Sequence, residues 1–370
     1  MAVSLVSTGV TFPDNSTQTT AATGFGFKNR IINGAMVIDQ RNAGGIVTPT
    51  SSATAYATDR WALNVSQNSK LTAQQSSAFV GFTNSLLITS SSAYPVASGD
   101  YFMVDQNIEG LNVGDLGWGT ANAQTVTLSF KVKSSLTGTF GGVISNSANN
   151  RSYPFSYTIS SANTETSISV TIAGDTSGTW LTTNGVGIRV RFSMGVGSTY
   201  QGTAGAWAGA TYLTATGATS VVGTNTATWQ VTGVQLEKGS TATSFDYRPY
   251  GTELALCQRY YQRVKAVSST TRLAQGFSQN ATQGEILIPF PVTMRTAPTG
   301  LDQSGTASDY RVTTGGGSGV VCSAVPVFNS ASTDLMDMVF TVASGLTAGQ
   351  GTVLLANTGA NAFLGWSAEL

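Results

Sequence analysis

The chain has 370 residues, no histidine, two cysteines, and 18 acidic against 18 basic side chains, so its formal net charge is zero. Without histidine it cannot build a Ser-His-Asp or Cys-His nucleophilic site, or a zinc site that contains histidine. The balanced charge argues against nucleic-acid binding, and no apolar run approaches the roughly 20 residues of a membrane-spanning helix. The length predicts two to three domains.

The composition also indicates a structural class. Cys257 and Cys322 are too few for a disulfide framework, and we expect buried or free thiols made in a reducing compartment. The first residues lack a basic region and a long apolar core, so no secretory signal is expected. Frequent threonine, valine and glycine favour strands joined by turns, and the sparse charge favours burial of surface in an assembly. We predict no cofactor, no metal site and no catalytic residues.

Residues 1–27 differ in composition from the rest of the chain, and Asp14 is their only charged residue. Phe12 and Pro13, followed by Asp14, predict a strand that runs into a turn. The segment is too short to form its own core. It is therefore either a disordered terminus or a docking segment that orders on a partner, and composition alone favours disorder.

Residues 28–250 contain one strand pattern after another. Apolar and polar residues alternate with the period of a half-buried strand, and turn-rich gaps separate the strands without a long helical stretch. Arg189 and Arg191 lie on the polar face of one of these strands. The pattern predicts an antiparallel β-sandwich. The clearest strands are Thr125–Lys133, Ser167–Ala173, Gly187–Met194 and Thr228–Glu237.

The period changes at residues 251–265, which predict a short linker helix. Thr252 is placed to cap the helix, and Glu253 lies at the positive end of its dipole. Pro249 stands just before it. We expect this helix to divide two all-β units.

Residues 266–370 return to strand patterning. Their length fits a second, smaller β-sandwich of about 100 residues. The predicted strands lie in residues 284–292, 336–342, 352–356 and 363–370.

Three stretches carry a resemblance to a known family. Residues 10–22 resemble the short N-terminal motif of bacteriophage tail-fibre and virion fibre proteins. Residues 29–42 with Thr58–Trp61 resemble the opening of their jelly-roll module, and residues 233–261 resemble its close. These modules are in turn similar to carbohydrate-binding jelly rolls. The matching stretches cover under a fifth of the chain but bracket residues 10–261.

The resemblance implies a virion protein, commonly a homotrimer, made in the host cytoplasm without a signal peptide. It makes residues 1–27 a docking segment for other virion proteins, attached by backbone pairing. It implies a jelly-roll fold for residues 28–250 and suggests that a host cell-surface polysaccharide is the partner. The predicted virion-docking residues are Phe12, Pro13, Asp14 and Gln18.

Two tryptophans are candidate glycan-binding residues. Trp118 and Trp207 lie in glycine-flanked loops, where a flat sugar could approach the ring. The alternative, which is the commoner situation, is that each ring plugs the end of a core or packs at a subunit contact. The other four tryptophans stand in strand-like contexts and are expected in the core: Trp61, Trp180, Trp229 and Trp366.

The densest acidic region has three interpretations. Ordinary strand and turn acids are favoured, a calcium site with oxygen ligands comes second, and paired carboxylates for glycoside cleavage come last. The acids concerned are Asp100, Asp105, Glu109 and Asp115.

Two pairs of charged residues that are close in sequence are expected to fix the first strands and the region near the linker. We predict that Arg60 pairs with Asp59 and that Arg248 pairs with Asp246. Interface or domain-fixing roles are favoured over ligand contact.

The combined hypothesis is a non-enzymatic, trimeric bacteriophage tail fibre that recognises host glycans. One alternative is a head or baseplate decoration protein without receptor binding. Another is a tailspike-like polysaccharide depolymerase, which is disfavoured because no long solenoid repeat occurs and acids are sparse.

Overall fold

A computed structural model of the protein describes residues 28–77, 79–314 and 319–370 in full, and the backbone of three short strands before them. These strands are β1 (Ser4–Val6), β2 (Gly9–Thr11) and β3 (Thr17–Gln18), paired antiparallel in that order. Phe12, Pro13 and Asp14 lie outside the described residues, and Gln18 ends β3. The docking role of these four residues stays a prediction.

Two large antiparallel sheets form a jelly-roll sandwich. One has the order β11-β10-β13-β8-β5-β4 and the other the order β12-β9-β16-β7-β6, while β14 and β15 pair separately. The strands are β4 (Ala55–Thr58), β5 (Trp61–Val65), β6 (Leu71–Ser76), β7 (Ser85–Ser90), β8 (Tyr101–Glu109), β9 (Val126–Ser134), β10 (Gly138–Ser145), β11 (Ser152–Ile159), β12 (Thr166–Ile172), β13 (Val186–Val196), β14 (Gln201–Gly202), β15 (Thr214–Ala215) and β16 (Thr228–Lys238). The expected all-β sandwich is confirmed, and the four clearest sequence patterns correspond to β9, β12, β13 and β16.

The core of the sandwich lies between the two sheets. Phe192 of β13 contacts Phe130 of β9 and Trp229 of β16, with ring centroids 5.0 Å and 5.4 Å apart. All three rings are buried, as is Trp61. Successive side chains of a strand point to opposite faces of the sheet. Every second side chain of β8 and β13 therefore lies on the outer face, away from this core.

The linker helix is shorter than predicted. Helix α1 covers Tyr250–Gln258 and begins after Pro249, without a side-chain cap from Thr252. Residues 261–265 form strand β17 instead of helix. The reason is a long-range pairing, because β17 finds an antiparallel partner strand about 100 residues further along the chain. Among the described residues, single-turn 3-10 helices cover Gly110–Asn112, Gly114–Leu116, Ser198–Tyr200 and Ala307–Asp309.

The C-terminal unit, predicted as a smaller β-sandwich, is all-β, and its strands close into a barrel. Its six strands follow the order β18-β19-β23-β22-β21-β24, and a small sheet β17-β25-β20 lies beside it. Closure pairs every barrel strand on both sides and so removes the exposed edges that a short sheet would leave. The strands are β17 (Tyr261–Lys265), β18 (Arg272–Ser278), β19 (Gln283–Pro289), β20 (Asp302–Gln303), β21 (Tyr310–Thr314), β22 (Val320–Ala331), β23 (Leu335–Val342), β24 (Gly351–Ala356) and β25 (Phe363–Ser367).

Both predicted charge pairs have other partners. Arg60 forms an ion pair with Glu369, which follows β25, whereas Asp59 lies 3.8 Å from Arg41. The buried Arg60 therefore joins the jelly roll to the end of the barrel unit, a longer-range role than pairing with its neighbour.

At the linker, Arg248 pairs with Glu253 at 3.2 Å. Asp246 instead accepts hydrogen bonds from the backbone amides of Lys28 and Asn29. It thereby ties the start of the jelly roll to its end. Across the described ranges, no helix has the length and apolar character needed to cross a bilayer.

Candidate functional site

A groove of about 280 Å³ lies on the outer face of the six-stranded sheet. Its floor comes from β5, β8 and β13, whose registered side chains stand side by side. Arg191 of β13 lies directly opposite Asp105 of β8, and Asn64 of β5 lies opposite Met103 of β8. Such cross-strand neighbours have their side chains within contact distance, so the sheet itself positions the groove residues.

Asp105 is the centre of the polar half of the groove. Its side chain is 1% exposed, and its Oδ2 accepts hydrogen bonds from Asn64 Nδ2 at 2.8 Å and Arg191 Nε at 3.1 Å. Its Oδ1 is buried and has no hydrogen-bond partner within the described part of the chain. A buried carboxylate oxygen without a donor is costly, so the bonds from Asn64 and Arg191 to the other oxygen have to hold this carboxylate in place.

Two loops complete the polar half. Asn149 adopts a left-handed backbone conformation, with φ 54°, which asparagine tolerates better than most residues. Its Oδ1 accepts a hydrogen bond from Arg191 Nη1 at 2.8 Å. Thr211 donates to the Asn149 carbonyl at 2.9 Å. These contacts hold the rim of the groove against its floor.

Arg189 lies two residues before Arg191 and on the same face of β13. It is paired with Asn107 of β8. Its Nη1 donates to Asn107 Oδ1 at 3.0 Å, and its Nη2 to the Ser147 carbonyl at 3.3 Å. Its Nε is buried and has no partner among the described residues. Burial lowers the pKa of this guanidinium, the neighbouring Arg191 lowers it further, and Asp105 opposes both.

The other half of the groove is apolar. Tyr101 and Tyr200 meet edge to face, with ring centroids 6.2 Å apart and an interplanar angle of 81°. Both rings are half-buried, and they pack on the buried side chains of Met103 and Leu213. Tyr200 belongs to the 3-10 turn that follows β13, which carries it over the outer face of the sheet.

The electrostatics of the floor depend on Asp105. Burial raises the pKa of its carboxyl, while Arg191 and the hydrogen bond from Asn64 oppose that rise. Arg191 and Asp105 thus compensate each other, and one buried acceptor oxygen of Asp105 has no donor among the described residues.

An aromatic wall beside hydroxyl-binding polar groups is the combination that sugars require. A pyranose has a C–H face that packs on an aromatic ring, and hydroxyls that both donate and accept hydrogen bonds. The groove offers Tyr101 and Tyr200 for the first contact, and Asp105 and Arg191 for the second. Its volume lies near the lower end of the range for small-molecule sites.

The structure brings the two candidate tryptophans together, away from this groove. Trp118 and Trp207 lie 5.4 Å apart, and Trp180 packs edge to face on both, at 4.7 Å and 5.4 Å. None of the three lines the groove. Trp180, expected in a core strand, lies half-buried in a segment without regular structure, whereas Trp61, Trp229 and Trp366 are buried strand residues.

Trp118 is a buried side chain whose polar group has a hydrogen-bond partner within the protein. Its side chain is 7% exposed, and its indole N–H donates to the Gln124 carbonyl at 2.7 Å. Trp207 is half-buried and donates to the Ala173 carbonyl at 2.7 Å. The glycan-binding role of Trp118 and Trp207 stays a prediction, and Trp180 and Trp207 are more exposed than Trp118.

The acidic stretch does not gather into one cluster. Asp100 accepts hydrogen bonds from Ser66 and Tyr94 and thereby fixes a loop. Within the described ranges no group of three or more acidic or thiol side chains could hold a metal ion. The remaining acids have separate partners: Asp105 with Arg191, Glu109 with Arg259, and Asp115 with Arg30.

Sequence reasoning placed Arg189 and Arg191 on a polar strand face and Asp105 in an acidic stretch, but did not join them. The missing signal is the pairing of β13 with β8, because Asp105 and Arg191 are 86 residues apart in the chain. No sequence pattern distinguished Tyr101 or Tyr200 as a candidate binding residue, apart from their positions next to predicted strands.

No protein-family model matches the sequence, and no curated protein matches it. Among solved structures, the enzymatically active domain of bacteriophage CBA120 tailspike protein 4 is similar, with 10% identity and a TM-score of 0.32. The match covers 57% of this chain and 21% of that one, so the chain spans about a fifth of the tailspike domain's length.

Two carbohydrate-binding modules are similar over their whole length. A family 4 module matches with 14% identity and a TM-score of 0.28, over 56% of this chain and 98% of its own. The family 11 module of a Clostridium thermocellum cellulosomal cellulase matches with 10% identity and a TM-score of 0.27, over 54% and 99%. Similarity at this level concerns the fold alone.

Proposed function

We propose that this chain is a non-enzymatic bacteriophage fibre protein whose jelly roll binds a host surface glycan in the groove beside Tyr101 and Tyr200. The observation that carries the glycan part is the groove itself, in which the rings of Tyr101 and Tyr200 lie beside the polar side chains of Asp105 and Arg191. A sugar ring can pack on tyrosine while its hydroxyls form hydrogen bonds with polar groups of the groove.

The virion part of the proposal rests on the sequence. Residues 10–22, 29–42 and 233–261 resemble bacteriophage fibre proteins, and residues 1–27 would dock to other virion proteins. Binding in one small groove is weak, and a trimeric fibre would raise the overall affinity through the high effective concentration of its copies.

Glycan binding is tested with the purified full chain on a glycan array and on host cells. We expect Tyr101→Ala to reduce binding at least about tenfold through loss of ring packing. Tyr247→Ala is the matched control, since Tyr247 is an exposed tyrosine that borders a different cavity. Equal binding by Tyr101→Ala and the parent would contradict the groove assignment.

The same preparation separates the alternatives. Binding to virions that lack the protein, without binding to cells, would favour a decoration protein. Release of reducing sugar from host polysaccharide would indicate a depolymerase. The fibre assembly itself predicts a sedimentation mass three times the 38.2 kDa of one chain, and a monomer at micromolar concentration would contradict it.

A further inference from the structure

We infer that the groove selects an anionic glycan, whose carboxylate or sulfate ester binds at Arg189. This inference rests on the proposed function and names the ligand class of the same groove. It follows from the charges that line the cavity, which are two guanidinium groups, Arg189 and Arg191, and one carboxylate, Asp105. The side chains that line the groove therefore have a net charge of one positive unit.

The unbalanced charge belongs to Arg189. Asp105 accepts a hydrogen bond from Arg191 at 3.1 Å and compensates it. The partners of Arg189 are the neutral oxygens of Asn107 and Ser147, and within the described ranges no carboxylate lies within 4.0 Å of its guanidinium. A half-buried cation with only neutral partners is incompletely compensated for the water it has lost.

A ligand anion supplies the negatively charged hydrogen-bond partner that Arg189 lacks among the described residues. A guanidinium presents its N–H groups in a planar fork that matches the two oxygens of a carboxylate, and such charge-assisted bonds are about twice as strong as neutral ones. The partial burial of the groove reduces screening by water and strengthens the attraction.

The rest of the groove fits a sugar that carries this anion, rather than a free ion. The tyrosine wall and the side chain of Asp105 lie on the same outer sheet face as Arg189. A free inorganic anion would gain nothing from Tyr101 and would be repelled by Asp105. A sugar ring can keep its anionic group near Arg189 and direct a hydroxyl to Asp105.

The test is calorimetric titration of the full chain with three size-matched probes: oligogalacturonate, sulfated dextran oligosaccharide and neutral dextran oligosaccharide. We expect at least one anionic probe to bind about tenfold more tightly than the neutral probe, and this advantage to shrink between 50 and 500 mM NaCl. Preference for oligogalacturonate identifies a carboxylate, and preference for the sulfated probe identifies a sulfate ester.

Variants assign the effect to Arg189. Arg189→Gln should remove the advantage of the anionic probe, and Arg189→Lys, which keeps the charge but loses the fork, should retain part of it. Should Arg189→Gln not fold, the parent's affinity ratio and its salt dependence decide the question together with Arg189→Lys.

Two negative results are distinguishable. Equal affinity for neutral and anionic probes, with loss of both in Tyr101→Ala, would overturn the anionic preference and leave the glycan site in place. Binding of no glycan on the array or by titration would overturn both.

Discussion

At the scale of single residues, the firmest contacts are buried carboxylates with arginine partners. Glu109 is 1% exposed and accepts hydrogen bonds from Arg259 Nη2 at 2.6 Å and Tyr260 Oη at 2.7 Å. Burial raises the pKa of Glu109, but the bonds from Arg259 and Tyr260 outweigh it, so the pKa is lowered from 4.5. The charged form is therefore the one that stabilises the fold.

Glu109→Gln should lower the free energy of unfolding at neutral pH by about 2 kcal/mol, because a charge-assisted pair is lost. A carboxylate with a lowered folded-state pKa stabilises the protein above its unfolded pKa, near 4.5, and this contribution is lost as the pH falls through the folded value. Denaturant unfolding at pH 7 and pH 3 measures both effects. The free energy of unfolding of the variant should depend less on pH than that of the parent.

Asp115→Asn is the control for this measurement. Asp115 pairs with Arg30 on the surface, at 2.9 Å and 49% exposure, so its loss should cost under about 1 kcal/mol. If Glu109→Gln changed stability as little as Asp115→Asn, the contact with Arg259 would not be the stabilising one.

The tryptophan cluster gives a second residue-scale prediction. Trp118→Ala should destabilise the fold by about 3 kcal/mol, since it removes a buried ring between Trp180 and Trp207. The half-buried Trp207→Ala should cost less and should keep glycan affinity. Thermal melting and glycan titration of both variants check this. Loss of glycan binding in Trp207→Ala, with full binding in Tyr101→Ala, would place the site at the tryptophans.

At the scale of elements, local patterns predicted strands well and their pairing poorly. The alternation in residues 187–194 is a local property, and β13 forms there. Residues 261–265 are predicted as part of the linker helix, since Tyr261 and Val264 have helical spacing, but pairing with β25 makes them a strand. Closure of the barrel depends on the contact of β18 with β24, which no local pattern encodes.

The reactivity of two buried thiols tests the packing of α1 and β22. Cys257 of α1 and Cys322 of β22 are buried. Burial raises the pKa of Cys322 to about 12 and that of Cys257 well above its ordinary value. Because the thiolate is the reactive form, a thiol reagent at pH 8 should modify neither cysteine in the folded protein and both in denaturant. Rapid modification without denaturant would contradict the packing of α1 or β22.

At the scale of the whole molecule, charged contacts join the jelly roll to the barrel unit. Glu369 pairs with Arg60 and, at 3.2 Å, with Arg41. Arg295 donates to the carbonyl of Asn184 in the jelly roll at 2.9 Å and to that of Glu369 at 2.7 Å. Since Glu369 lies 309 positions from Arg60 and 328 positions from Arg41, sequence reasoning could supply the charges but not their partners.

Glu369→Gln should destabilise the molecule by about 3 kcal/mol, because it leaves the buried Arg60 without a charged partner. In scanning calorimetry we expect a lower melting temperature and a broader or divided transition, as the two units lose a shared contact. Glu285→Gln, on the barrel's β19, is the control and should leave the transition unchanged. An unaltered melt of Glu369→Gln would show that the ion pair does not couple the units.

The most direct measurement is a crystal structure of the protein with the oligosaccharide that the array selects. We predict a sugar ring against Tyr101 or Tyr200, a hydroxyl hydrogen-bonded to a polar side chain of the groove, and an anionic group at Arg189. A sugar bound at Trp180 and Trp207, with the outer face of the six-stranded sheet empty, would contradict the proposed binding site.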